Sequence, residues 1–145
     1  MSNLFWVLLM LGGGVAVAVQ PSINARLAQR VGSFESSLIS FAVGTLAMLV
    51  IVMVAGRGNL RGMASANWWE LTGGFLGAFF VTLTIVTVPR LGTTAVMAAI
   101  ITGQLATGAL IDHFGLFGLR HLPLTPLRLV GMLLLAAGAT LIIKR

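Results

Sequence analysis

The chain has 145 residues, 58% of them hydrophobic and only 8% charged, with a mean hydropathy of +1.04. That composition lacks the polar surface of a soluble globule and reads as an integral membrane protein. Nine Lys and Arg against three acids give a net charge of +6, and Cys is absent. Basic residues that flank apolar runs signal membrane topology and not a nucleic-acid partner. Without Cys there are no disulfides, thiolate nucleophiles or Cys-ligated metals.

Five apolar runs follow in chain order. The first covers 4–24 and is followed by Arg26 and Arg30. No Lys or Arg precedes it and no small-residue cleavage site follows its apolar core, so it reads as a retained span and not a signal peptide. The second covers 34–54, and the loop "AGRGNLRGMASAN" comes after it. Trp68 and Trp69 announce the third, 71–88, which Pro89 and Arg90 close; the fourth, 91–111, ends at Asp112 and His113. The connection "FGLFGLRHLPLTP" leads to the fifth, 127–143, with Thr125 as N-cap, Pro126 at the first helical position, and Lys144 with Arg145 as the terminal anchor. Runs that are apolar all round, without period-two alternation, predict an all-α bundle of five transmembrane helices. Little chain is left over, so residues 1–145 form a single transmembrane domain.

Small residues at four-residue spacing let membrane helices approach closely. Gly44 lies on a line with Ser36 and Ser40, Gly73 and Gly77 stand four apart, and Gly103 belongs to a stripe with Ala95, Ala99 and Thr107. These glycines are expected at packing contacts, either inside the bundle or between subunits.

An unpaired polar group in hydrocarbon costs several kcal/mol, so the few polar side chains must face protein or water. If odd spans run from side A, which holds the N-terminus, to side B, then Gln20 and Asn24 lie one turn apart in the B half of the first span. Ser36, Ser37 and Ser40 open the second span there, Thr84 and Thr87 close the third, and Thr93 and Thr94 open the fourth. Pro21 leaves the carbonyl of Val17 without its helical donor, so a helix break is expected beside Gln20 and Asn24. Broken helices with freed backbone groups are how transporters build solute sites. The candidate solute-binding residues are Gln20, Asn24, Ser40, Thr84, Thr94 and Gln104, the last being the deepest polar side chain of the fourth span. A satisfied structural kink is the alternative at Pro21. Glu35 and Asp112 are the carboxylates nearest the bilayer and the candidates for ion coupling; Glu35 also suits a helix N-terminus. Asp112 beside His113 lacks a third ligand, so no metal site is expected. No cofactor motif, catalytic triad, phosphate loop or carboxylate pair occurs, and an enzyme is not expected.

The segments "QPSINARL", "SFAVGTL", "GGFLGAFFVTLTIVTVPRLGTTAV" and "GQLATGALIDHFGLFG" resemble the YdcZ family of short bacterial inner-membrane proteins, within the drug/metabolite transporter superfamily. The resemblance covers nearly the whole chain. It implies a five-span transporter or exporter of the bacterial inner membrane, similar to half of the ten-span members, in a family that includes antiparallel dimers. Small multidrug resistance proteins of the same superfamily carry a glutamate within the first span. This chain has no acid there, which argues against proton-driven efflux by their mechanism.

Arg26, Arg30, Arg90, Lys144 and Arg145 fall on side B, and Arg57, Arg61, Arg120 and Arg128 on side A. A bias of one charge leaves insertion in both directions open, the alternative being a single orientation with a weak charge signal. The reading is therefore a small-solute transporter working as a dual-topology antiparallel homodimer in the lipid bilayer. An ion channel, or an accessory subunit of another transporter, is the alternative.

Overall fold

A computed structural model describes residues 3–144. It contains five long helices: α1 Asn3–Val31, α2 Ser33–Ala55, α3 Gly73–Leu91, α4 Thr93–Phe114 and α5 Pro126–Ile143. Each is long and apolar enough to cross a membrane, and no strand occurs among the described residues. The expected transmembrane helical bundle is what these sequences form. Arg145, half of the expected terminal anchor, lies outside the described residues.

The ends of α1, α3 and α4 differ from the apolar runs, while those of α2 and α5 fall within one residue of them. At 29 residues α1 is about 43 Å long, well beyond the roughly 30 Å of a hydrocarbon core. Arg26 and Arg30 therefore belong to the helix and not to a loop after it. Loss of hydrophobicity ends a span but not a helix; a helix needs a breaker, and none comes before Gly32. There φ is 101° and ψ 158°, a region open essentially to glycine alone. The N–H of Gly32 still donates to the carbonyl of Ala28 at 2.9 Å, and its carbonyl accepts from the N–H of Ser36 at 3.0 Å. One residue thus closes α1 and opens α2. Gly92, before α4, repeats the conformation with φ 82° and ψ 152°, and its carbonyl accepts from Val96 at 3.2 Å.

The break expected at Pro21 does not interrupt α1, which continues helical through it with Pro21 buried. Proline removes one backbone donor and crowds one carbonyl. The three helical turns of chain that follow before Gly32 carry the helix on.

Contacts gather in two compact units, Met1–Arg90 and Leu91–Arg145. In the first, α1 packs along α2, and α3 meets α2 where the ring of Phe41 covers Gly77; a Cβ on that glycine would stand 3.4 Å from Phe41 Cζ. No atom comes within 4 Å of the Cβ position at Gly44, Gly73 or Gly103, so within their own units these three border open space. In the second unit, α4 packs along α5. Thr125 caps α5 as expected, its Oγ1 accepting from the N–H of Arg128 at 3.3 Å. The connection before it is tied to the end of α4: the N–H of Leu122 donates to the carbonyl of Asp112 at 2.8 Å, and that of Leu124 to His113 Nδ1 at 3.2 Å.

Candidate functional site

In the first unit the hairpin at Gly32 sets the polar residues of α1 and α2 side by side. Asn24 is buried, and its Nδ2 donates to Ser40 Oγ at 3.1 Å. Ser36, fully buried, donates its hydroxyl to the carbonyl of Asn24 at 2.8 Å. Beside them Thr82 Oγ1 bonds Ser37 Oγ at 2.9 Å and the carbonyl of Ala78 at 2.8 Å, joining α3 to α2. Every buried side-chain polar atom among the described residues has a partner.

Below this network a cleft of about 460 Å³ opens between α1 and α2. Gln20 and Ser40 form its polar end, Gly44 and Thr45 its waist, and Phe41 and Met48 much of its apolar wall. Gln20 is exposed on this wall and has no hydrogen-bond partner among the described residues. Gly44, which makes no helix contact, leaves the cleft open at that level. An amide whose hydrogen-bonding groups are free, set in an otherwise apolar cleft, is suited to ordering a neutral or weakly polar solute.

The remaining candidates fall elsewhere. Thr84 is buried, and its hydroxyl donates to the carbonyl of Val81 in its own helix at 2.8 Å, so its one proton is committed there. Thr94 is exposed in the first turn of α4. Gln104 lies on α4 in a cleft of the second unit together with Asp112 and Arg128. Asp112 Oδ2 stands 3.7 Å from Arg128 Nη1. Glu35 folds its carboxylate over Gly32, into the space a Cβ there would take.

The family model described as "Putative inner membrane exporter, YdcZ" matches residues 5–141. The chain belongs to the YdcZ family. A relative in Escherichia coli (strain K12), "Inner membrane protein YdcZ", is 27% identical over 146 residues, covering 94% of this chain and 93% of the relative. No solved structure matches the chain. Membership of the YdcZ family and five membrane-length helices make this an inner-membrane protein of an exporter class, a transport rather than an enzymatic family.

Within this YdcZ chain, sequence reasoning joined Gln20, Asn24 and Ser40 through their shared end of the bundle, and the hairpin brings those three together. It did not single out Thr82, whose hydroxyl faces Ser37. The available signal was a hydroxyl four residues after Ala78 in the middle of an apolar helix, the spacing at which Thr bonds its own backbone and can face a neighbour. It also left Asp112 unconnected to Arg128. Their positions, one at the end of α4 and one at the start of α5, were the clue.

Proposed function

We propose that the protein moves a small solute across the inner membrane as a dual-topology antiparallel homodimer, holding the solute in the cleft between α1 and α2. The observation that carries this is Gln20: its amide is unpartnered on the wall of the cleft, while Asn24 and Ser40 beside it are bonded to each other. A polar side chain within a membrane helix is costly, and one left free is suited to line a solute path. Family membership supports transport as the activity. Gly44, Gly73 and Gly103, open in a single chain, are where a second copy could approach closely. For coupling we assign Glu35, since Asp112 already faces Arg128.

The test begins with a thermal-stabilisation screen of small solutes on the purified protein, because a ligand that binds only the folded state raises its stability. The best solute is then followed in counterflow with the protein in liposomes. Gln20→Leu is expected to cut flux about tenfold, the loss of one good hydrogen bond at the rate-determining step, with the melting temperature unchanged. Full flux in that variant would move the solute away from the α1–α2 cleft. Glu35→Gln is expected to abolish acceleration by an imposed pH gradient; retained acceleration would return the coupling to another group or ion.

A further inference from the structure

The cleft between α4 and α5 differs from the first in carrying a charge of each sign at its mouth. Asp112 lies in the last turn of α4 and Arg128 in the first turn of α5, so both mark the same end of this helix pair. They face each other at 3.7 Å, with 41% and 48% of their side chains exposed. Charge-assisted hydrogen bonds are closer, about 2.7–2.9 Å, so each group keeps capacity for another partner. Each charge also sits where its own helix disfavours it. A helix C-terminus is the negative end of the macrodipole and repels a carboxylate, and the N-terminus repels a cation. Neither residue stabilises the helix that bears it, and the Arg128 N–H is already capped by Thr125. The pair links α4 to α5 loosely, and both of its groups remain open to a ligand at the mouth of the cleft.

Inward from the pair the cleft is apolar. Gly108 and Gly131 keep its floor low, Met132 and Leu135 wall it, and its volume is about 400 Å³. Gln104 stands two turns below Asp112 on the same face, about 12 Å along α4, so the groove runs from the headgroup level into the hydrocarbon.

We propose that this groove holds a phospholipid whose headgroup carries both a phosphate and a primary ammonium, of the phosphatidylethanolamine kind. The guanidinium of Arg128 takes the phosphate, Asp112 accepts from the ammonium N–H groups, and one acyl chain follows the Gly108 and Gly131 floor. Charge complementarity selects this headgroup. A phosphatidylglycerol satisfies Arg128 but sets its phosphate against Asp112 with no cation between them. A phosphatidylcholine has the cation but no N–H to give the carboxylate. A headgroup without acyl chains leaves the apolar wall bare.

The experiment is native mass spectrometry of the full chain in detergent, titrated with phosphatidylethanolamine, phosphatidylcholine and phosphatidylglycerol of matched chains. Tail-less glycerophosphoethanolamine serves as competitor. Phosphatidylethanolamine should be retained about tenfold better than the other two, and the tail-less compound should not displace it. Asp112→Asn should erase the preference over phosphatidylglycerol without weakening phosphatidylglycerol itself, an effect that a merely structural role would not produce. Arg128→Gln should weaken all three lipids alike. Melting temperatures of both variants, read in the same detergent, should stay at the wild-type value. Equal retention of the three lipids by the wild type would overturn the proposal, as would displacement by the tail-less compound, or a lipid-free dimer whose second copy covers the groove.

Discussion

Asn24 joins α1 to α2 twice, through its amide to Ser40 and through its carbonyl from Ser36. Hydrogen bonds between membrane helices contribute on average about 0.6 kcal/mol and at most about 1.7, but leaving one partner buried and unpaired costs more, about 1–3 kcal/mol. Ser40→Ala should therefore lower stability in micelles by about 1–2 kcal/mol, while adding Asn24→Leu should recover part of the loss by removing the orphaned amide. Denaturant unfolding of the single and double variants measures both, and equal stability of Ser40→Ala and wild type would show the bond to be dispensable. The two amides of α1 were legible as a pair, because Ser22 between them is the one other polar side chain in their run. Their division of labour was not legible: Asn24 is buried and bonded while Gln20, one turn earlier, is exposed on the cleft. That difference depends on the rotation of α1 about its axis against α2. Thr84 shows the same gap, since a hydroxyl that bonds its own helix looks like any other in the sequence.

Gly32 and Gly92 act at the level of whole helices, since each sets where one helix stops and the next begins. An alanine forced to φ near 101° or 82° is strained by about 1–3 kcal/mol. Gly32→Ala should be the worse of the two, because the added Cβ also displaces the Glu35 carboxylate, and Glu35→Ser in the same chain should narrow the gap. Melting of the three variants in detergent checks the order; a harmless Gly32→Ala would mean the corner tolerates another backbone path. All five helices were legible from hydropathy alone, and so were the ends of α2 and α5, while those of α1, α3 and α4 were not. The apolar run stopped at residue 24 because Arg26 is charged, yet backbone hydrogen bonding is indifferent to charge and continued to Val31. The better signal was the glycine itself, flanked by "RV" and "SF" in one corner and by "RL" and "TT" in the other.

At the scale of the chain, five basic residues on one side against four on the other make orientation sensitive to small changes. The loop after α2 is the place to alter it. Asn59 Oδ1 accepts from the N–H of Arg61 and Ser65 donates to the carbonyl of Gly62, so these are best left alone; Gly58, Met63 and Ala64 are exposed. Changing those three to Lys gives seven on side A against five and should hold side A in the cytoplasm. Arg57→Gln with Arg61→Gln leaves two against five and should hold the reverse. If two opposed copies are required, each variant alone should be inactive and the two together active, with C-terminal reporters confirming each orientation. Activity of one locked variant by itself would rule out the antiparallel pair.

The one-residue corner at Gly32 also bears on when that choice is made during synthesis. With a single residue between them, α1 and α2 have no slack to enter the bilayer one after the other and must partition as a folded-back pair. At that moment the basic residues of the nascent chain are Arg26 and Arg30 at the corner and Arg57 and Arg61 just beyond α2, two against two. The residues that break the tie, from Arg90 to Arg145, all come later in the chain. The corner thus gives the first helix pair an even count of basic residues, two against two, where the finished chain has a slight imbalance, and an even count at that step is what the proposed pair of opposed copies requires.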